Sequence, residues 1–375
     1  MYRHFARLFV ATLLVTNAVN AQQRVKQESD LGRWTVDIPE GSDGTFALAE
    51  TTRNITAAYL ADDPKRTPIL TAYNTDASII SVHAPKTATG KVVLESAEES
   101  TQFPDGRIVL SALDASIDGD TAKLETHPGN HRIGFWSNLQ DSVSWNYKPT
   151  RPGMYDIELT YSLAAGVSDI EVRLDEDRLE STIQPTGSWY RYTSSTIGRV
   201  YLAESKAIQV NVRGIKKQGG AVMNLKALTL RPAPEGSPVV QDPDGSIEMD
   251  SSQAIVNGVK LRFEPEPHKR CIGYWANPRD TVSWDFDVKA PGTFQVQLTQ
   301  GCGQGHGGSE VEVIVGEQRL TFTVEDTGGF QNWRQRDLGT VSIQAVGTHR
   351  LTVQPRTKPG VAVMDIRRIR LIPAQ

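Results

Sequence analysis

The segment IGFWSNLQDSVSW at residues 133–145 recurs 139 residues later as IGYWANPRDTVSW at residues 272–284. A second pair, AVMN at 221–224 and AVMD at 362–365, repeats at an offset of 141 residues. A two-residue insertion in a loop accounts for the difference. The period is that of a whole globular domain, since solenoid units repeat every ~20 to 50 residues. The sequence therefore predicts two copies of one domain, each with its own core.

Apolar and polar residues alternate with a period of two in both copies, as in YDIEL at 155–159 and FQVQL at 294–298. This alternation is typical of half-buried antiparallel strands. Turn residues such as Arg151-Pro152-Gly153 separate the strands at intervals of roughly 8 to 12 residues, without helical segments between them. The predicted fold class is all-β: a small β-domain followed by two tandem antiparallel jelly-roll β-sandwiches.

The domain boundaries follow from the repeat and from the proline-rich stretch between the copies. Asp105-Gly106 and Asp244-Gly245 open the copies at matching positions, and prolines stiffen a linker. The predicted segments are a signal peptide at 1–21, a small β-domain at 31–100, the first sandwich at 105–232, a linker at 233–243 and the second sandwich at 244–373.

The N-terminus has the three parts of a secretory signal: the basic residues Arg3 and Arg7, an apolar run at 8–15, and Ala21 at a small-residue cleavage site. We expect cleavage after Ala21 and a secreted or periplasmic protein; an uncleaved anchor is the alternative. The apolar run is shorter than the roughly 20 residues that a membrane span needs. A net charge of −4 with mixed signs predicts no nucleic-acid partner.

Aromatic residues recur at matched positions in the two copies. A sugar ring stacks its apolar C–H face on an aromatic side chain, while amide and backbone groups bind its hydroxyls. Trp145 and Trp284 share a strand face with valines, which predicts that they belong to the core. Two groups of residues are candidates for ligand binding. The first group consists of loop aromatic residues: Trp189, Tyr190, Tyr192, Phe330 and Trp333. The second belongs to the repeated motif, where a core role is the alternative for the tryptophans: Trp136, Trp275, Asn138 and Asn277.

The two cysteines, Cys271 and Cys302, both lie in the second copy. They are not essential to the fold, since the first copy has neither, and the sequence leaves open whether they form a disulfide. Glu248 and Asp250 are candidate oxygen ligands for a structural calcium ion. We expect no other cofactor.

The sequence contains no recognisable catalytic constellation. It has no Gly-x-Ser-x-Gly elbow and no His-Glu-x-x-His motif. Asp141 and Asp280 recur, but their position before a strand is typical of turn acceptors. The glycine run at 301–308 follows a strand without leading into a helix, so we reject a nucleotide site there and expect glycines with positive φ. His306 is predicted to be an exposed loop residue, and the protein is predicted not to be an enzyme.

With these motifs in hand, the two copies resemble the galactose-binding-like modules, akin to carbohydrate-binding modules, that are appended to secreted bacterial glycosidases and sulfatases. The version appended to planctomycete α-L-fucosidase-like enzymes is similar in WANP at 275–278, VSW at 282–284, GCG at 301–303, VEDTG at 324–328 and AVMD at 362–365. Residues 31–95 resemble the small C-terminal β-domain of α-L-fucosidases, in Pro39, DGTFAL at 43–48, ITAAYLAD at 55–62 and VVLE at 92–95. The fucosidase barrel is absent, so no catalytic residue carries over.

The residues and the resemblance together predict a secreted, non-catalytic protein that binds polysaccharide or other glycans. Two weak sites in tandem would gain affinity through effective concentration. The alternatives are a scaffold module that binds a secreted glycosidase or sulfatase, and a remnant of a fucosidase-like enzyme.

Overall fold

The computed structural model describes residues 33–49, 55–74, 79–96, 103–125, 131–204 and 206–374. The predicted signal peptide lies outside these residues. Within them the chain is built from strands, and helical structure is limited to two 3₁₀ turns, Ala112–Asp114 and Ser251–Gln253. No helix in this part of the chain has the length and apolar character needed to cross a membrane. The predicted all-β fold class is confirmed.

Six strands form the N-terminal unit: β1 Arg33–Asp37, β2 Thr45–Ala49, β3 Ile55–Leu60, β4 Leu70–Asn74, β5 Ile79–His83 and β6 Lys91–Ser96. Eleven strands form what we call the first sandwich: β7 Ile108–Ser111, β8 Ser116–Asp118, β9 Lys123–Glu125, β10 Arg132–Gly134, β11 Ser142–Tyr147, β12 Gly153–Ser162, β13 Ser168–Leu174, β14 Asp177–Ile183, β15 Thr193–Leu202, β16 Ile208–Lys217 and β17 Asn224–Pro232. Twelve form the second sandwich: β18 Val239–Val240, β19 Ile247–Asp250, β20 Ile255–Asn257, β21 Arg262–Glu264, β22 Cys271–Gly273, β23 Thr281–Val288, β24 Gly292–Cys302, β25 Glu310–Val315, β26 Gln318–Thr323, β27 Gly329–Ile343, β28 Gly347–Pro355 and β29 Asp365–Pro373.

Each sandwich consists of two sheets. In the first, one sheet has the order β15-β12-β17-β10-β9 with β7 on β17, and the other has the order β14-β13-β16-β11-β8. In the second, the orders are β21-β22-β29-β24-β27 with β19 on β29, and β18-β23-β28-β25-β26 with β20 on β23. The pairs are antiparallel except for β18 with β23. The N-terminal unit has two three-stranded sheets, β1-β6-β3 and β2-β5-β4.

Apolar side chains from both sheets fill the core of each sandwich, as the alternating pattern predicts. Trp145 and Trp284 lie in these cores, which confirms the prediction for both. Their indole Nε1 groups donate to the backbone oxygens of Ser111 (2.9 Å) and Asp250 (2.8 Å). Buried indole N–H groups usually find such an acceptor, and these two bonds lie at matched positions in the two copies.

The predicted linker makes backbone hydrogen bonds to both sandwiches. The backbone N of Ala233 donates to Met154 O (2.9 Å) in the first, and Glu235 N donates to Ser252 O (2.8 Å) in the second. β18, within this segment, adds a parallel strand to the second sandwich. The segment is therefore held along its length rather than spanning free solvent.

Candidate functional site

A cavity of about 430 Å³ on the first sandwich, which we call the aromatic pocket, draws its lining from four separate chain segments. The segments are the end of β9, β10 with the turn that follows it, the loop between β14 and β15, and the approach to β17. The lining residues are Glu125, Arg132, Phe135, Ser137, Trp189, Tyr190, Ala221 and Asn224.

Three aromatic side chains form the walls of the aromatic pocket, and solvent reaches all of them. Phe135 is 67% exposed, Tyr190 is 76% exposed and Trp189 is 36% exposed. Large aromatic residues left this open rarely serve packing, and exposed apolar groups clustered around a cavity mark binding surfaces.

The backbone after β10 explains why Phe135 points outward. Phe135 has φ = 55°, in the left-handed region that a bulky residue seldom adopts, and Tyr274 repeats the feature with φ = 60°. This turn places Trp136 in the core and the preceding aromatic ring at the surface. Such a conformation costs about 1 to 3 kcal/mol and tends to be found at functional sites.

An ion pair forms the floor of the aromatic pocket. Arg132 donates from Nε to Glu125 Oε2 (2.7 Å) and from Nη2 to Glu125 Oε1 (3.0 Å), a bidentate arrangement. A Cβ atom at Gly134 would lie 2.0 Å from Glu125 Oε2, so the glycine is required for the pair to form. The floor is polar without net charge.

Asn224 joins the floor to the loop that carries the aromatic walls. Its Nδ2 donates to the backbone oxygen of Trp189 (3.3 Å), which also accepts from Ser162 Oγ (2.8 Å). The guanidinium of Arg132 lies 5.8 Å from the ring centre of Tyr190. Floor and walls are therefore connected, which holds Trp189 and Tyr190 in place before any ligand arrives.

The structure brings together two of the predicted aromatic residues, Trp189 and Tyr190. Tyr192 does not line the aromatic pocket; it lines a second cavity, with Lys226 Nζ 5.5 Å from its ring centre and its phenol close to Ser162 and Arg132. Burial raises the pKa of its phenol.

The equivalent surface of the second sandwich is covered. Tyr274, the counterpart of Phe135, carries the guanidinium of Arg262 only 3.4 Å from its ring centre. A cation seated on the ring face occupies the surface on which a sugar would stack.

The floor of this second site is also different. Cys271 replaces the arginine and Asp365 replaces the asparagine, with the thiol 3.6 Å from Asp365 Oδ2 and 4.0 Å from Glu264 Oε1. Burial and the charge of Glu264 raise the pKa of Asp365, and burial with the charges of Asp365 and Glu264 raises that of the Cys271 thiol. The ligand atoms of these three residues lie within 4.8 Å of one another, close enough to share a metal ion. The Lys269 ammonium already binds Glu264, so the cluster contains its own cation.

Phe330 and Trp333, the candidates in the second copy, are partly buried against the glycine run at 301–308. Phe330 stacks on His306 with 6.1 Å between ring centres and an angle of 19°. A Cβ atom at Gly303 would lie 2.6 Å from the Phe330 ring, and Gly305 and Gly308 have positive φ as predicted. Arg367 lies 5.4 Å from the Trp333 ring centre. Both aromatic residues make packing contacts while keeping part of their surface exposed, and a role in ligand binding stays a prediction for them.

The four candidates in the repeated motif do not line the aromatic pocket, and the core role given as the alternative is correct for the two tryptophans. Trp136 and Trp275 are fully buried in the cores and cannot reach a ligand. Asn138 Oδ1 accepts from the backbone N of Gln140 (3.1 Å), and Asn277 Oδ1 accepts from that of Arg279 (3.1 Å). Both asparagines close turns, and neither lines the aromatic pocket.

The two calcium candidates have partners within the protein. The Glu248 carboxylate is paired with Arg368 (3.4 Å) and Arg370 (3.3 Å). Asp250 caps the 3₁₀ turn Ser251–Gln253, accepting from Ser252 N (3.0 Å), and lies 3.5 Å from Arg270. Arginine and amide groups therefore compensate both carboxylates in this structure.

The question that the sequence left open about the cysteines has an answer in the structure. Cys271 and Cys302 are free thiols, and both are buried. Cys302 Sγ lies 3.7 Å from the backbone oxygen of Gly303. Each thiol therefore fills a separate packing position rather than closing a loop.

The repeated aspartates have opposite electrostatic environments. Burial acts to raise the pKa of Asp141, but hydrogen bonds from Thr121, Ala122 and Asp120 outweigh it and hold the pKa below its ordinary value. Asp280 is buried with one side-chain donor, Asn277 Nδ2 (2.7 Å), and burial raises its pKa to about 7. The predicted acceptor role is correct for both, although Asp141 binds the 120–122 segment rather than its own turn.

Sequence reasoning missed Phe135, Glu125, Arg132 and Asn224. One signal was present: Asn224 ends the repeated AVMN motif and becomes Asp365 in the second copy. The three apolar residues of the motif are identical in the two copies, whereas the polar residue that ends it differs. Such a difference indicates that core packing does not determine the residue at this position. No sequence pattern indicates that Glu125 and Arg132 are in contact. They are brought opposite each other by the antiparallel pairing of β9 with β10, which the structure shows.

The chain is an all-β protein of paired antiparallel sheets with an aromatic pocket on the first sandwich. Residues 119–234 and 265–373 each match the sequence profile of a family described as a domain of unknown function, DUF5077. The matched segments make up more than half of the chain, so the protein belongs to this family. No curated protein matches the chain.

Several solved structures are similar in part. A xanthan lyase from Paenibacillus aligns over 92% of this chain and 34% of its own, with 15% identity and a TM-score of 0.34. A family 35 carbohydrate-binding module from Clostridium thermocellum aligns over 34% of this chain and 98% of its own, with 19% identity and a TM-score of 0.29. A family 6 module of a Zobellia galactanivorans laminarinase aligns over 34% and 98%, with 18% identity and a TM-score of 0.27. Similarity of this size carries no functional argument, so the pocket residues decide the proposal.

Proposed function

We propose that the protein is a non-catalytic carbohydrate-binding protein whose aromatic pocket holds a sugar unit of a polysaccharide. The observation that carries the proposal is the combination of exposed aromatic walls, Phe135 and Tyr190, with a fixed polar floor. A sugar presents an apolar C–H face to an aromatic ring and a rim of hydroxyls to polar groups.

The floor suits a neutral sugar. The Arg132–Glu125 pair supplies donors and an acceptor whose charges balance, and the Asn224 amide supplies one of each. Such a set binds hydroxyl groups, which are themselves both donors and acceptors. The affinity for one sugar unit is expected to be modest, because desolvation of those hydroxyls offsets much of the contact energy.

The carboxyl content of the pocket supports a role without catalysis. Glycoside hydrolysis requires two carboxyl groups about 5 to 10 Å apart on either side of the bond. Glu125 is the carboxylate in the pocket lining, and Arg132 binds both of its oxygens. Export directed by the N-terminal 21 residues and association with a secreted glycosidase or sulfatase belong to the same proposal.

A second candidate function is protein docking. Phe135 and Tyr190 are large exposed aromatic residues at one site, the kind of side chains that anchor protein interfaces. The docking alternative predicts that these residues bind an enzyme partner and that no glycan competes.

The test is a glycan array with the mature wild-type chain and its Tyr190→Ala variant. We expect selective binding that falls at least about tenfold in the variant, since an interface anchor is worth about 2 kcal/mol. Tyr190 is exposed, so the variant should unfold at the wild-type temperature.

Val361→Ala is the matched control, because Val361 is an exposed apolar residue on the second sandwich. It should bind like the wild type. A folded wild-type chain that binds no glycan would refute the proposal and leave docking as the better explanation.

A further inference from the structure

A second cavity of the first sandwich, of about 470 Å³, lies along the edge where the two sheets approach each other. We call it the hydroxyl groove. Strand β14 is the edge of one sheet and β15 is the edge of the other. The groove is lined mainly by hydroxyl side chains and contains one charged residue, Arg191; the hydroxyl-bearing residues are Tyr161, Ser181, Thr182, Thr186, Tyr192, Thr193, Ser195 and Thr196.

The second sandwich shows what keeps this groove open. Ser195 corresponds to Arg336, whose Nε lies 3.1 Å from Glu325 Oε1 and whose Nη1 donates to Thr323 O (3.2 Å). That side chain crosses from β27 to the end of β26. Ser181 corresponds to Phe322, which is buried against the second core. Two large residues thus fill the space in one copy, and two serines leave it open in the other.

The hydroxyl groove and the aromatic pocket share one loop. Trp189 and Tyr190 line the pocket, and residues 191–193 continue directly along the groove. The backbone oxygen of Trp189 is held by Ser162 and Asn224, so the loop has a fixed position between the two cavities. A glycan that extends from the aromatic pocket along residues 191–193 would contact both cavities.

From this continuity we propose that the hydroxyl groove is a subsite for further units of the glycan chain whose first unit occupies the aromatic pocket. The proposal rests on the proposed function and extends it: the ligand is an uncharged oligosaccharide rather than a single sugar. Serine and threonine hydroxyls both donate and accept, which matches sugar hydroxyls. Units joined to one already bound gain through effective concentration.

The test begins with native gels containing galactan, xylan, galactomannan or laminarin. Oligosaccharides of one to six units, made from the polysaccharide that slows the wild-type chain most, are then titrated by calorimetry. We expect the six-unit chain to bind at least about tenfold more tightly than the single unit, as one or two net hydrogen bonds would give.

Ser195→Arg should remove this gain with chain length and leave the affinity for the single unit unchanged, because it copies the filled groove of the second sandwich. Adding Gln184→Glu supplies the acid that Arg336 meets in that sandwich, so the double variant guards against misfolding. Ser194→Arg is the control, since Ser194 faces Thr160 and lies outside the groove lining.

A Ser195→Arg variant that keeps the full gain with length would overturn the groove proposal while leaving the pocket intact. The pocket itself is tested by Tyr190→Ala, which should weaken binding of every chain length. If no polysaccharide slows the wild-type chain, both proposals fail.

Discussion

The floor of the aromatic pocket contains Arg132 and Asn224 in the first sandwich, and the same positions in the second sandwich are Cys271 and Asp365. In the first sandwich these residues belong to a floor without net charge, and the aromatic rings above it are exposed. In the second sandwich they belong to a buried acidic cluster, and Arg262 covers the ring of the nearby Tyr274. The buried tryptophans around both sites are unchanged. Packing restrains what faces the core, and the rim is free to diverge after duplication.

The edge grooves show the same contrast. Ser181 and Ser195 leave a cavity in the first sandwich, whereas Phe322 and Arg336 fill it in the second. The two cavities of the first copy thus have filled or covered equivalents in the second. Under the proposed function the first copy binds and the second supports it, and four predictions can break or sharpen that view.

The largest effect is expected for adjacent aromatic residues with opposite roles. Trp136→Ala should lower the free energy of unfolding by about 3 to 5 kcal/mol, because it empties a core position. Phe135→Ala should change it by only about 0.5 kcal/mol while weakening glycan binding. Chemical denaturation of both variants checks this. Equal losses of stability would contradict the division between core and rim.

Asp280 should make the second sandwich less stable as the pH rises. Its pKa is raised to about 7 from an ordinary 3.8, so the protonated form is favoured in the folded chain. The stability that the protonated carboxyl group contributes to the folded chain is fully present below pH 4. It is lost as the pH rises from about 4 to about 7, and the loss is on the order of 4 kcal/mol.

Asp280→Asn should remove that share of the pH dependence: no change in melting temperature at pH 4 and a higher one than the wild type at pH 8. Asp337→Asn, at an exposed position, is the control. An unchanged pH profile in Asp280→Asn would show that the carboxyl group is ionised throughout.

Asp141→Asn should destabilise the folded chain near neutral pH, whereas Asp280→Asn should stabilise it. Its carboxylate accepts from the backbone N of Asp120, Thr121 and Ala122 at 2.7 to 3.0 Å. The asparagine would turn an amide donor toward some of these donors, which should cost about 2 kcal/mol at pH 7. Because the wild-type pKa lies below its ordinary value, the difference between variant and wild type should shrink as the pH falls through that range. A variant as stable as the wild type at pH 7 would contradict this account.

The smallest effect concerns the thiols. Cys271 and Cys302 are buried, and burial raises the pKa of both, to about 11 for Cys302. Iodoacetamide should label neither in the folded chain and both in denaturant without reductant, read by mass spectrometry. Labelling that requires reductant would show that they form a disulfide.

Sequence reasoning reached the all-β class and the core tryptophans because both depend on period-two alternation. It found Trp189 and Tyr190 because aromatic residues in a polar loop have no packing role there. It named Trp136 as a candidate ligand contact with a core role as the alternative; the structure shows the core role, and Phe135 was not considered. The left-handed backbone at Phe135 reverses which ring faces solvent, and no local pattern predicts positive φ at a phenylalanine.

The amino-acid sequence by itself determined the duplication, the strands and the residues that repeat in the two cores, since these follow from local alternation and self-similarity. Only the tertiary structure decided that Glu125, Arg132 and Asn224 meet beneath the aromatic rings, and that a serine in one copy opens a groove which Arg336 fills in the other. The physical reason is that a binding site is made from segments far apart in the chain, whose meeting depends on strand pairing and side-chain volume.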